Sequence, residues 1–157
     1  MKKLLGFVIA VLALASCEGV DCTLNNMVYC YYGFYSSETG EAIQLTDTLT
    51  ITAQGTDSIL YNKGINCSSV SLPMSFWNDA DTLIFHIYND SISFESLLFV
   101  GKTNTQHYES PDCPATMFHQ LTTAGWQSSL IDSVVIVRPG VNYLQNENIK
   151  IYFRTAP

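Results

Sequence analysis

A chain of 157 residues, 47% hydrophobic and 13% charged, is long enough to bury a core and too apolar to remain disordered. Its formal charge of −7 excludes a nucleic-acid partner, because Lys63, Lys102, Arg138, Lys150 and Arg154 are scattered and form no positive stripe to displace counterions from phosphates. The same scatter excludes docking on anionic lipid by charge alone.

The chain opens with Lys2 and Lys3, an apolar run from Leu4 to Leu14, and Ala15-Ser16-Cys17. The run is about half the length a membrane-spanning helix needs, so residues 1–16 are predicted to be a signal peptide. The ending Leu14-Ala15-Ser16-Cys17 resembles a lipobox, which makes Cys17 the expected acylated N-terminus of the mature chain. Residues 17–26 then read as a short tether kept wet by Glu18 and Asp21, and residues 27–157 as one domain.

Beyond the tether, apolar and polar residues alternate with a period of two, the mark of half-buried strands. The expected strands are 27–35, 47–54, 57–61, 69–74, 81–88, 91–99, 115–121, 131–137 and 148–154. Leu49, Ile51 and Ala53 oppose three threonines; Leu83, Phe85 and Ile87 oppose Ile84, His86 and Tyr88; Ile149, Ile151 and Phe153 oppose Lys150, Tyr152 and Arg154. Val134 to Val137 is apolar throughout and reads as a central strand covered on both sides. Ala115 to Ala124 is the one candidate for a short helical turn. Turn pairs such as Thr39-Gly40, Gln54-Gly55, Asn78-Asp79 and Pro139-Gly140 punctuate the strands. The expected fold is all-β, an antiparallel two-sheet sandwich of the immunoglobulin-like or Greek-key type with about seven to nine strands.

With Cys17 acylated, Cys22, Cys30, Cys67 and Cys113 form an even set outside the cytoplasm, which suits two disulfides in one of three connectivities. Cys22 and Cys113 both lie in turn-rich segments. The expected pairing is therefore Cys22 with Cys113 and Cys30 with Cys67.

Chemistry-bearing patterns are sparse. Nucleophile elbows, phosphate loops and zinc-protease motifs do not occur, so no enzymatic activity, catalytic residue or cofactor is expected. His107, Glu109, Asp112 and His119 are the densest run of metal-ligand types, but a loop tied down by Cys113 and its flanking prolines explains them as well, and no metal is expected. Asp residues before Ser or Thr, as in Asp81-Thr82 and Asp132-Ser133, suit turns that feed strands rather than calcium. The aromatic segment Tyr29-Cys30-Tyr31-Tyr32-Gly33-Phe34-Tyr35 is the best binding candidate. If Cys30, Tyr32 and Phe34 face the core, then Tyr29, Tyr31 and Tyr35 line the outer face, where tyrosine rings suit a sugar or a protein. Alternatively they cover cross-strand neighbours.

The lipobox cysteine, Asp21-Cys22, Tyr32-Gly33-Phe34-Tyr35, Asp47-Thr48-Leu49-Thr50, Ser71-Leu72-Pro73, Glu109-Ser110-Pro111-Asp112-Cys113, Ile131-Asp132-Ser133 and Asn148-Ile149-Lys150-Ile151-Tyr152 resemble small Bacteroidota lipoproteins of unknown function. The resemblance implies a β domain anchored to the outer membrane, with no catalytic residues to carry over. The function expected is a non-catalytic binding or scaffolding lipoprotein of the cell envelope. The membrane would be its partner through the N-terminal lipid, alongside an envelope protein or a glycan. The alternative is a glycan-binding accessory module on the tyrosine stripe. Glu18 and Asp21 are separated rather than an acidic run, which favours the periplasmic side over the cell surface.

Overall fold

The computed structural model describes Cys22, residues 27–56 and residues 58–154. The expected signal peptide 1–16, Cys17 and the expected tether apart from Cys22 lie outside the described residues.

Among the described residues, ten strands form two sheets: β1 Tyr29–Ser36, β2 Thr48–Ala53, β3 Ile59–Gly64, β4 Ser69–Pro73, β5 Ala80–Tyr88, β6 Ser93–His107, β7 Thr116–Gln127, β8 Ile131–Ile136, β9 Gly140–Val141 and β10 Glu147–Phe153. One sheet has the order β4-β1-β10-β8 and the other β3-β2-β5-β6-β7-β9. Every pair is antiparallel except β1 with β10, where the first and last strands run side by side in the same direction. The expected two-sheet β-sandwich is what forms.

The alternation dictates which faces meet. Cys30, Tyr32 and Phe34 of β1 and Ile149, Ile151 and Phe153 of β10 point inward from one sheet. Leu49 and Ile51 of β2, Leu83, Phe85 and Ile87 of β5, and Leu98 and Val100 of β6 meet them from the other. The rings of Phe34 and Phe153 touch edge to face at 5.5 Å within this core. The β2–β3 turn needs Gly55, whose φ of 78° would strain any residue with a Cβ.

Several segments depart from expectation. Residues 115–124 carry no helical turn; Thr116 opens β7, which runs on to Gln127, and β6 likewise runs on to His107. Strand β8 is an edge strand, not a central one, so Val135 and Val137 are 44% and 39% exposed despite the apolar run. Only Val134 and Ile136 pack toward the core. Sheet order depends on distant partners, and a local run of valines carries no information about it. Leu98 and Val100 are inner residues of β6, which is flanked by β5 and β7 on both sides.

The pairing registers define two ends. At one, β4 stops and β1 begins, with Tyr29 opposite Pro73, and β5 begins with Ala80 opposite Gly101. The β6–β7 hairpin extends past this row to its loop, which holds Cys113. At the other end Ser36 lies beside Phe153, and Thr48 beside Tyr88.

Candidate functional site

At the hairpin end the inner face of the six-stranded sheet turns from apolar to charged. Leu98 and Val100 are followed in the same inward phase by Lys102, which is 2% exposed. Its Nζ lies 3.4 Å from Asp81 Oδ2, donates to Ser75 Oγ at 2.9 Å, and donates to the Asn78 carbonyl. Asp81 also accepts from the Ser75 amide at 3.2 Å and from the Ser75 hydroxyl. The Asn104 amide donates to the same Asn78 carbonyl at 3.1 Å. Since its nitrogen is thus used, Asn104 Oδ1 is the acceptor for His119 Nδ1–H at 2.8 Å. Burial, and then the Lys102 ammonium, lower the His119 pKa to about 4, against a smaller opposing pull from Asp81. His119 is therefore a neutral donor at physiological pH.

Local pattern does not reveal this network, since Asp81-Thr82 reads as a turn feeding a strand and Lys102 as an isolated charge. The available signal was the period: extending Leu98, Val100 by two places lands on Lys102.

The other histidines serve packing as well. His107 stacks on Phe118 at 4.3 Å with the rings 12° apart, and Tyr143 packs edge-on against Phe118 at 5.0 Å. Consecutive strand residues point to opposite faces, so Phe118 and His107 lie across the sheet from His119. The two imidazoles cannot converge on one ion. Glu109 instead accepts from the Tyr143 hydroxyl at 3.0 Å. Among the described residues, no three His, Cys, Asp or Glu side chains form a group able to hold a metal. His86 faces Glu95 at 3.5 Å on the outer surface.

Tyr29, Tyr31 and Tyr35 do share the outer face of the four-stranded sheet, each half-buried, while Cys30, Tyr32 and Phe34 are buried. They do not form one platform. The Tyr35 hydroxyl donates to Glu147 Oε2 at 2.9 Å, its ring tilts against Tyr152 at 5.6 Å, and Lys150 Nζ sits 4.2 Å over it. The Glu147 carboxylate lies over Gly33, in space that a Cβ there would fill. The gap in the stripe is occupied by an acid, and Tyr35 serves its cross-strand neighbours. Tyr29 and Tyr31 stand opposite Pro73 and Ser71.

Of the expected disulfides, Cys22–Cys113 is formed, with the two Cα atoms 5.7 Å apart. Cys30–Cys67 is not; both are free and buried. Cys30 stands opposite Leu72, and Cys67 lies five residues before Leu72, which puts the two about 16 Å apart along the strands. A disulfide needs Cα atoms within roughly 7 Å. Cys67 Sγ instead lies 3.1 Å from the Tyr61 hydroxyl. Burial pushes the Cys30 thiol up to about 12, only partly offset by its hydrogen bond with Tyr32. Native protein treated with iodoacetamide near neutral pH is expected to leave Cys30 unlabelled, because the thiolate is the reacting species. Unfolding without reductant should expose both Cys30 and Cys67 to label, with Cys22 and Cys113 protected. A non-reducing peptide map that joins Cys30 to Cys67 would overturn this assignment.

At the far end, opposite the disulfide, a groove of about 380 Å³ is lined by Ile43, Leu45, Ile87, Ile92, Phe94 and Phe153, with Asp47 and Arg154 among its polar lining residues. Arg154 is itself held by Asp132 at 3.1 Å.

Fold and geometry together define a β-sandwich whose N-terminal arm is pinned by a disulfide to a long hairpin. The chain belongs to a family of unknown function (DUF6452), whose model matches residues 48–153, from β2 to the end of β10. No curated protein and no solved structure matches it.

Proposed function

We propose that this protein is a lipoprotein of the cell envelope: a non-catalytic binding or scaffolding β-sandwich held at the outer membrane by acyl chains on Cys17. The small Bacteroidota lipoproteins that its sequence resembles are its proposed relatives. The observation that carries this reading is the Cys22–Cys113 bridge. Disulfides persist in oxidising compartments, which agrees with a leader that ends at Cys17. The bridge also fixes the arm to the domain five residues beyond the proposed acylation point, so the tether is short. A binding rather than catalytic role is supported by His107 and His119, each committed to a structural partner, and by the apolar groove at the opposite end. The periplasmic side remains the preferred facing, from the separated acids after Cys17.

Cys17→Ala tests the anchor. Wild-type protein is expected in the membrane fraction with an intact mass that includes acyl chains on Cys17, whereas the variant should lose both. Protease added to intact cells should leave the wild type uncut. A mature chain with an unmodified Cys17 thiol, or an uncut precursor kept in the cytosol, would refute the proposal.

A further inference from the structure

The proposed tether leaves the sandwich at the hairpin end, and the loops of that end carry exposed aromatic and aliphatic side chains. Trp77 and Phe76 lie between β4 and β5, Tyr108 between β6 and β7, and Leu144 between β9 and β10. They are 74%, 39%, 55% and 66% exposed. Side chains of this size seldom stand so far into water. The three loops lie toward the same end because β4 stops, β5 starts, β10 starts and β6 turns back there, with the β6–β7 loop set beyond the row where β4 stops and β5 starts.

Trp77 does not stand on a loose loop. The next residue, Asn78, has its carbonyl held by the buried Lys102 ammonium and by the Asn104 amide at 3.1 Å, while the Lys102 backbone amide donates to the Asp79 carbonyl at 2.8 Å. The polar network described above thus fastens the β4–β5 loop to β6, and Trp77 projects from a fixed base.

We infer that this aromatic rim, Phe76 and Trp77 with Tyr108 and Leu144, rests in the interfacial zone of the lipid bilayer, so that the hairpin end lies against the membrane. The inference rests on the lipid-anchor reading of Cys17 and adds the orientation of the domain. Cys22 is bonded to Cys113 in the hairpin loop, and five residues span at most about 18 Å, so the acyl chains enter the bilayer within that distance of the bridge. Tryptophan and tyrosine favour the headgroup level, where one part of the ring system is apolar and the other wet. The tether makes this contact intramolecular, so a rim too small to bind lipid alone suffices once the acyl chains are inserted. The three loops, residues 74–79, 108–115 and 142–146, contain no Lys or Arg and do contain Asp79, Glu109 and Asp112. The β8–β9 turn at the same end sets one exposed cation, Arg138, against these three acids, so the contact is chiefly apolar and suits zwitterionic headgroups better than anionic ones.

The two tryptophans supply the test. Trp126 pairs with Leu98, displaced from Gly101 toward the opposite end of the sandwich. Full-length acylated protein carrying Trp126→Phe, so that Trp77 is the sole tryptophan, is reconstituted on phosphatidylcholine vesicles with brominated acyl chains. Trp77 emission is expected to shift to the blue and to lose most of its intensity relative to unbrominated vesicles. Acylated protein carrying Trp77→Phe, reporting Trp126 alone, should show neither change. Vesicle-bound acylated protein whose Trp77 is unquenched would overturn the rim and leave the anchor standing. A mature chain found without acyl groups by intact mass would overturn both.

Discussion

Lys102→Ala is expected to lower the free energy of unfolding by roughly 3–5 kcal/mol, the cost typical of removing one partner of a buried ion pair. The Lys102 side chain is wholly buried and the Asp81 side chain is 14% exposed, so neither charge recovers much water when the other goes. The variant strands the Asp81 carboxylate, takes one donor from the Asn78 carbonyl, and opens a cavity where the lysine stem lay beside the inner face of β6. Asp81→Asn should cost about as much for the mirror-image reason, since it leaves an ammonium in the core with only neutral acceptors. The double variant Asp81→Asn with Lys102→Met should recover much of the loss, because it removes both charges and keeps the volume. Urea unfolding monitored at constant m-value decides. A loss below about 1 kcal/mol for Lys102→Ala would place the pair in the class of surface ion pairs and refute its structural role.

The second large effect concerns the Cys22–Cys113 bridge. Replacing both cysteines by serine should destabilise the domain by as much as about 4–5 kcal/mol on the chain-entropy account, because the cross-link spans a sequence separation of 91. Both cysteines are changed together so that no stray thiol forms mixed disulfides. Reduction of the wild type should reproduce the same shift in the urea midpoint. A shift under about 1 kcal/mol in both experiments would show that the open chain is already restricted in the unfolded state.

Much of this architecture was legible from local pattern. The alternation in Leu83, Phe85, Ile87 and in Ile149, Ile151, Phe153 identified both the strands and their inner faces, because side-chain direction follows from strand geometry alone. The inward placement of Cys30, Tyr32 and Phe34 followed in the same way. Non-local pairing was not legible. Cys30 and Cys67 both point inward, yet the β1–β4 register keeps them apart. Val134 to Val137 is apolar, yet β8 is at a sheet edge. The second half of β6, with Lys102 and Asn104, and the second half of β7, with Thr122 and Thr123, look polar enough for loops, and each is held as a strand by the earlier part of the other. Among candidate site residues, Tyr35 could be assigned a face but not its engagement with Glu147 and Lys150, which are more than a hundred positions away in the chain.

The adjacency of β1 and β10 has a consequence for how the molecule is made. The four-stranded sheet cannot zip until its last-synthesised strand arrives to fill the slot between β1 and β8. Such closure of sequence-distant segments is slow, and a polypeptide delivered from its N-terminus spends its transit without a completed sheet. For the exported precursor proposed above, this late-closing topology would keep the chain pliable until β10 has crossed the secretion channel.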